Sequence, residues 1–174
     1  MTNQFIELIK TRRSCRCYKS EQISDSQLNA VLEAGTYAPT AHGKQDPVIV
    51  AVQEPRLMQR LADMNAKVRG VAGNPYYDAP TYVLVFASED NANAFQDGSC
   101  VLENMMLAAH ALGLGSCWIN REHEMFDTEE GRQLMREMGL KEGLMGIGAL
   151  SLGLPAKEPK EAKERKDGWI KVIR

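Results

Sequence analysis

Apolar residues recur at helical spacing in two segments of the first forty residues. Residues 5–9 mark a short amphipathic helix that ends at a cluster of arginines. In the second segment, Ser24 and Gln27 form a capping-box pattern, and the apolar positions that follow continue at the helical period. We expect this second helix to stop at Pro39, because the residue before a proline is pushed out of helical geometry.

The most apolar helical pattern covers residues 93–112. Met, Leu and Ala occupy nearly every face of it, which predicts a buried central helix rather than a surface helix. Gly113 and Gly115 are expected to end it. Shorter helices are predicted from about Pro55 to Asn65 and from Glu129 to Met138.

Four apolar runs with little polar alternation predict buried strands. They cover residues 47–52, 82–86, 117–119 and 144–152. Residues 70–80 carry Gly-Asn-Pro and adjacent tyrosines, which predicts a loop that forms part of a pocket wall. Residues 155–166 are charged and aperiodic, and their composition alone is typical of a disordered tail.

The composition is that of an ordinary globular protein. The 174 residues fit one domain, and 44% hydrophobic with 25% charged content is typical of soluble proteins. A net charge of -2 argues against a surface for nucleic acid or acidic membranes. The amino terminus has no signal-peptide pattern, and the strongest apolar stretch, residues 79–87, is too short to span a bilayer. We therefore expect a cytoplasmic protein.

Cysteine and histidine patterns point to no metal or dithiol chemistry. Cys15, Cys17, Cys100 and Cys117 contain no Cys-x-x-Cys spacing, which favours unpaired thiols in a reducing compartment. The three histidines have no companion ligands at metal-binding spacing. We therefore predict no metal site.

The arginine cluster is the first candidate for binding chemistry. Residues 11–18 read Thr-Arg-Arg-Ser-Cys-Arg-Cys-Tyr, and in an extended segment Arg12, Ser14 and Arg16 share one side. Planar guanidinium groups with a hydroxyl suit a phosphate. A solvated basic helix end is the alternative, and the cluster taken alone favours it.

Three further segments change that balance. Residues 38–45 read Ala-Pro-Thr-Ala-His-Gly-Lys-Gln, residues 104–119 end in Gly-Leu-Gly-Ser-Cys-Trp-Ile, and residues 148–155 read Gly-Ala-Leu-Ser-Leu-Gly-Leu-Pro. With the arginine cluster and a Lys-x-Arg-Lys at residues 163–166, their order and spacing resemble the nitroreductase family of flavoproteins. The resemblance covers nearly the whole chain.

The resemblance implies an architecture. The fold is an α+β fold with a central, mostly antiparallel sheet flanked by helices, in a single domain over residues 1–174. Two such chains form a homodimer with FMN sites at the interface. Residues 155–174 are a C-terminal extension that crosses to the partner, and its last apolar stretch, residues 169–173, is expected to pair there as an added edge strand.

The resemblance also assigns residues to the cofactor. The phosphate and ribityl chain fall to Arg12, Ser14 and Arg16 with Lys163 and Arg165 from the tail, while Arg13 contributes through its backbone. The amides of Gln45 and Asn65 reach the isoalloxazine or ribityl edge. A helix C-cap is an equally weighted alternative for Asn65.

Two backbone segments complete the implied site. Pro39, Thr40 and Ala41 lie against the flavin from the neighbouring subunit, and a backbone amide near Asn120 faces its reactive nitrogen. The chain departs from the commonest family pattern at Gly43, where Asn is frequent, and at residues 46–47, where Pro-Trp is frequent. Recognition of substrate at this edge is therefore open.

The activity implied is FMN-dependent reduction of nitroaromatic- or quinone-like acceptors by NAD(P)H, in a ping-pong cycle with no side chain assigned as a general acid or base. His42, in the same loop, is expected to be an exposed residue rather than a proton donor. One alternative is a flavin-binding carrier or redox sensor in which Cys15 or Cys17 reports oxidation. Another is a phosphate-ligand binding module without flavin. The choice of NADH or NADPH and the physiological substrate stay open.

Overall fold

The computed structural model describes residues 3–174. Its helices are α1 (Gln4–Thr11), α2 (Asp25–Thr36), α3 (Pro55–Arg69), α4 (Ala94–Ala111), α5 (Glu122–Phe126) and α6 (Glu129–Glu137). Its strands are β1 (Val48–Val52), β2 (Thr81–Ser88), β3 (Gly115–Ile119) and β4 (Leu144–Gly153), and a short 3₁₀ turn covers Ala41–Gly43.

The four strands form one open antiparallel sheet in the order β1-β2-β4-β3. Leu84 on β2 lies between Val50 of β1 and Ala149 of β4, and Ala149 also pairs with Ile119 of β3. The register of β2 with β4 shifts between Val85 and Phe86, where β4 carries an extra residue. This arrangement confirms the predicted antiparallel sheet of an α+β fold.

Helices cover both faces of this sheet. On one face, Tyr82, Leu84 and Phe86 pack in a core with α3, α5 and α6; on the other, Val83 and Val85 pack in a core with α2 and α4. Strand β2 is therefore buried on both sides, which explains why its sequence is a continuous apolar run. Helix α4 approaches β4 closely at Gly98, where an added Cβ would lie 2.6 Å from Ile147.

The local sequence signals placed most elements correctly. The capping box at Ser24 and Gln27 is present, and α4 covers the predicted central helix. Helix α3 continues past Asn65 to Arg69 and ends at Gly70, whose φ of 65° provides the left-handed cap. The predicted end of this helix was therefore wrong by about one turn. Helix α5 was not predicted, because five residues are too few to show a period.

The tail leaves the domain beside the arginine segment. Tyr18 forms an isolated antiparallel bridge with Pro155, and the Ala156 amide donates to the Cys17 carbonyl at 2.9 Å. Residues 157–174 are exposed, and no helix or strand is found among them within the described chain. The predicted crossing to a partner and the pairing of residues 169–173 stay predictions.

In the part of the chain that the structure describes, no helix combines the length and the apolar character that crossing a membrane requires.

Candidate functional site

The arginine segment is held in an extended conformation beside β3. Ser14 forms a parallel bridge with Ser116, and the Cys15 amide donates to the Ser116 carbonyl at 2.8 Å. The Tyr18 hydroxyl donates to the carbonyls of Cys15 at 2.8 Å and of Ser151 at 3.2 Å. These bonds tie residues 14–18 to both β3 and β4, so the segment is part of the scaffold rather than a free helix end.

Arg12, Ser14 and Arg16 lie along the segment that is attached to β3 at Ser116, and the next residue of the strand, Cys117, carries a thiol. Burial raises the pKa of this thiol, while Arg16, the Ser14 side chain and Arg12 act on it in the opposite direction. Arg12 has a buried Nη1 that finds no hydrogen-bond acceptor among residues 3–174. Buried donors are rarely left unpaired, and a guanidinium in this state is suited to an anionic ligand.

Arg13 has a different role from its neighbours. Its Nη1 donates to the carbonyls of Lys10 at 2.7 Å and of Arg12 at 2.6 Å, at the carboxyl end of α1. The helix-end interpretation of the cluster therefore holds for this one side chain. Beside it, Thr11 Oγ1 lies 2.9 Å from His110 Nε2, and burial together with Arg12 and Arg13 lowers the pKa of His110.

Arg16 extends toward the loop over residues 70–80. Its Nε donates to the Tyr77 hydroxyl at 3.3 Å, and its guanidinium carbon lies 5.8 Å from the centre of the Tyr77 ring. The hydrogen bond to Tyr77 is the largest cause that raises the pKa of Arg16. Tyr77 and Asp78 both have positive φ, at 59° and 52°, so the surrounding loop imposes an uncommon backbone there. This loop thus forms a wall next to the arginine segment.

The Pro39–Gln45 loop is fixed by a buried carboxylate. The Ala41 amide donates to Asp97 Oδ1 at 2.9 Å, and Asp97 Oδ2 accepts from Asn91 at 3.1 Å. Inside the loop, the backbone N–H of Gln45 donates to Thr40 Oγ1 at 3.0 Å. Asp97 is buried at the start of α4. Sequence analysis did not identify it, although an acidic residue in a nearly apolar helix was a usable signal.

The same network explains one departure from the family pattern. Asp46 Oδ2 accepts from the Ser88 amide at 3.0 Å and from Asn91 Nδ2 at 3.0 Å. The carboxylate at position 46 therefore joins the loop to the end of β2. Next to the loop, a cavity of about 410 Å³ lies between α2, β1 and α4. Leu32, Ala38, Thr40, Gln45 and Ile49 are among the residues that line it.

Asn65 lies on the opposite side of the sheet and is fully buried. Its Nδ2 donates to the Asn120 carbonyl at 2.9 Å and to Glu122 Oε1 at 3.3 Å. Because Gly70 caps α3, the C-cap alternative for Asn65 was wrong. Arg121 follows Asn120 with a φ of 88°, so the chain turns sharply after β3 before α5 begins.

Glu122 and Tyr76 complete this buried cluster and were missed by sequence analysis. The Tyr76 hydroxyl donates to Glu122 Oε1 at 2.9 Å, and both side chains are almost inaccessible. Asn65 Oδ1 and Glu122 Oε2 are buried and find no hydrogen-bond partner in residues 3–174. Neither residue stands in a periodic pattern, so only the folded chain reveals the cluster.

Lys163 and Arg165 stand apart from these groups. Both are exposed, and within residues 3–174 no ion pair or hydrogen bond joins either side chain to the arginine segment. The single chain thus places the predicted groups of residues 12–16 on one extended segment, and the contacts predicted for Lys163 and Arg165 stay predictions.

The four-stranded antiparallel sheet with helices on both faces places the chain in the α+β class of folds. The model of the nitroreductase family matches residues 9–154, and the chain belongs to this family.

Individual relatives agree with this assignment. A crystal structure described as a nitroreductase with bound FMN, from Bacteroides fragilis, is 35% identical with a TM-score of 0.90, and the match covers 99% of this chain and 100% of that one. An FMN-dependent nitroreductase from Clostridium difficile is 27% identical with a TM-score of 0.85, over 98% and 99% of the two chains. A protein of Archaeoglobus fulgidus named "Putative NADH dehydrogenase/NAD(P)H nitroreductase" is 29% identical, over 93% of this chain and 91% of its own length.

Proposed function

We propose that this protein is an FMN-dependent oxidoreductase that uses NAD(P)H to reduce nitroaromatic- or quinone-like acceptors in a ping-pong cycle. The observation that carries the proposal is the buried, unpaired Nη1 of Arg12, in the same extended segment as Ser14 and Arg16. The relatives support it, since the Bacteroides protein holds FMN and the Archaeoglobus protein is named for NAD(P)H.

The residues present fit FMN at two ends. Arg12, Ser14 and Arg16 offer cationic and hydroxyl donors for its phosphate. Asn65 offers an unsatisfied Oδ1 acceptor, a group that suits the polar edge of the ring system. Asn120 is exposed just after the end of β3, and we assign its backbone amide to the flavin. We assign the remaining contacts to the backbone of Arg13 and to Pro39, Thr40, Ala41, Gln45, Lys163 and Arg165.

Bound FMN would supply the hydride-transfer chemistry that carries electrons from NAD(P)H to the acceptor. The protein's own groups would bind and orient the FMN. The arginine segment holds the phosphate, Asp97 keeps the Ala41 backbone in place, and Asn65 fixes the Asn120 carbonyl. Donor and acceptor would occupy the same open face in turn, which is the origin of ping-pong kinetics.

We further propose that the working unit is a cytoplasmic homodimer of one-domain chains. All residues of α1 are at least partly exposed. Three of its apolar residues are strongly exposed: Phe5 at 61%, Ile6 at 48% and Ile9 at 46%. Exposed apolar patches of this kind mark interaction surfaces. Residues 155–174 would cross to the partner and bring Lys163 and Arg165 to its phosphate site. The four cysteines are free thiols, in line with a reducing compartment.

The test is the visible spectrum of the purified protein, with the released cofactor identified, followed by NADH and NADPH oxidation with 1,4-benzoquinone or nitrobenzene. We expect a yellow protein that releases FMN and turns over at least one nicotinamide. A yellow protein without nicotinamide oxidation would favour the carrier or sensor. A colourless protein that takes up no added FMN would contradict the proposal and favour the phosphate-ligand module.

A further inference from the structure

Glu122 is an acidic side chain placed almost out of reach of water. It is 1% exposed at the first position of α5. Its Oε1 accepts two hydrogen bonds, from Tyr76 at 2.9 Å and from Asn65 at 3.3 Å. Tyr76 is itself fully buried and stacks on Tyr82 with 4.1 Å between ring centres. One oxygen of the carboxyl group is thus fixed from two sides.

The charges around Glu122 do not form an ion pair with it. Burial raises its pKa to about 8, while the hydrogen bond from Tyr76 and its own backbone amide act in the opposite direction. Glu124 raises the pKa further from the same helix, and Arg69 lowers it from the end of α3. Glu124 is itself paired with Arg121 at 2.5 Å. The surroundings of Glu122 therefore favour the neutral form of its carboxyl group.

The other half of the cluster leads toward the proposed cofactor site. Asn65 Nδ2 is held by Glu122 and in turn holds the Asn120 carbonyl at 2.9 Å. Asn65 Oδ1 and Glu122 Oε2 are buried without a partner anywhere in residues 3–174. Unsatisfied buried polar atoms in a native fold call for a ligand, an ion or a water molecule. These two atoms lie close to Asn120, so the group that would satisfy them is expected beside the exposed turn after β3.

We propose that Glu122 is a positioning residue of the cofactor site, which fixes the amide of Asn65 and, through it, the backbone at Asn120 for binding the polar edge of the flavin. This inference rests on the proposed function, because it takes FMN as the ligand. It adds a role for a residue that touches the site only through Asn65. The neutral carboxyl group preserves the hydrogen bonds that join Glu122 to Tyr76 and Asn65. Ionisation would place an unpaired negative charge beside Asn65 and so weaken FMN binding.

The test is FMN titration of the apo-protein, followed by flavin fluorescence, between pH 6 and 9.5. Wild type is compared with Glu122→Gln, which keeps an acceptor for Tyr76 and Asn65 but cannot ionise, and with Glu122→Met, which removes the acceptor. Glu124→Gln is the matched control, since it removes a carboxylate from the same helix that is exposed and paired with Arg121. The FMN phosphate titrates in the same way with all four proteins, so a difference between their pH profiles comes from the protein.

We expect the wild-type dissociation constant to rise above about pH 8, by up to about tenfold per pH unit, and the Glu122→Gln protein to lack this rise. Glu122→Met is expected to bind FMN about tenfold or more weakly at pH 7, because two buried donors lose their acceptor. The control should show the same rise as wild type, displaced to slightly lower pH because Glu124 contributes to raising the pKa of Glu122.

Three results would overturn the inference: a flat wild-type profile, the same rise in Glu122→Gln, or unchanged affinity in Glu122→Met. If Glu122→Met does not fold, the Glu122→Gln profile decides alone. Failure of the proposed function has a different signature, since wild type and Glu124→Gln would then bind no FMN at any pH.

Discussion

At the residue scale, the site is marked by polar groups that the single chain leaves unsatisfied. Arg12 Nη1, Asn65 Oδ1 and Glu122 Oε2 are the buried side-chain atoms without a partner within residues 3–174. The rest of the buried polar groups form closed networks, such as Asp97 with Asn91. Unpaired groups are costly in a folded protein, so their presence in the arginine segment and in the cluster of Asn65 and Glu122 points to a ligand with complementary polar groups.

Arg12→Ala is the direct test of the phosphate assignment. Removing one partner of a buried charged contact costs about 2–5 kcal/mol, or roughly 30-fold to several thousand-fold in affinity. We expect FMN to be lost from the purified Arg12→Ala protein while it stays folded, with a similar result for Arg16→Ala. Arg13→Ala is the matched control, because the Arg13 side chain donates to carbonyls of α1 and residue 12. Full flavin occupancy in both Arg12→Ala and Arg16→Ala would contradict the assignment.

The raised pKa of Glu122 predicts a pH-dependent stability. The unfolded group has an ordinary value of 4.5 and the folded group about 8, so the folded state retains the proton over this window. The stabilisation is full below about 4.5 and is lost as the pH rises to about 8, at ~1.4 kcal/mol per pH unit. Glu122→Gln should lack this loss. Urea unfolding of the apo-proteins at several pH values measures it, and a pH-independent difference from wild type would contradict it.

At the scale of elements, loops gain their order from side chains on neighbouring helices. The Ala41 backbone amide is hydrogen-bonded to Asp97 of α4, and the Asn120 carbonyl, in the turn after β3, is hydrogen-bonded to Asn65 of α3. Each loop is therefore as rigid as the helix that holds it. This explains how a loop with positive φ at His42 and Gln45 keeps a defined shape.

Asp97→Ala should loosen the loop over residues 39–45. It removes the acceptor of the Ala41 amide and one of the two acceptors of Asn91 Nδ2, and we expect this to cost about 1–3 kcal/mol in the free energy of unfolding. FMN affinity should fall as well. Asp97→Asn keeps one acceptor oxygen and should lose less. Chemical denaturation of both proteins measures the effect, with the exposed Asp63→Ala as control; equal stability of Asp97→Ala and Asp63→Ala would contradict the role of Asp97.

The sequence predicted the elements that carry strong local signals. The capping box at Ser24 and the apolar run of β2 required only neighbouring residues to interpret. The predicted end of α3 was wrong because no residue near Asn65 indicates that the helix continues to the cap at Gly70. Glu122 escaped notice for another reason. Its burial depends on Tyr76, a residue far away in the chain, and a contact of this kind leaves no periodic trace.

At the scale of the whole molecule, the chain presents surfaces that a single copy leaves uncovered. Helix α1 exposes apolar side chains, and the tail carries Trp169 at 76% and Ile170 at 84% exposure. We predict an obligate dimer with a large interface. Light scattering at micromolar concentration should report a dimer for the flavin-loaded protein. An active, flavin-loaded monomer would contradict a site built from two chains.

The tail provides a separate test of the two-chain site. Lys163 and Arg165 alternate with one residue between them, so an extended backbone points both to one face. The double variant Lys163→Ala/Arg165→Ala should weaken FMN binding and leave the stability of the apo-protein within ~0.5 kcal/mol of wild type. FMN titration at matched ionic strength measures the first effect. Equal dissociation constants would make the tail a solvated end.

The bridge between Tyr18 and Pro155 has a consequence for the order in which the molecule is made. The arginine segment is synthesised before two of its anchors, Ser116 and Pro155, which follow far along the chain. Contacts so distant in sequence close only after the intervening chain has been ordered. A nascent chain therefore carries its arginines without these two anchors until β4 and Pro155 have been synthesised, and we expect the segment to bind a phosphate only after that point.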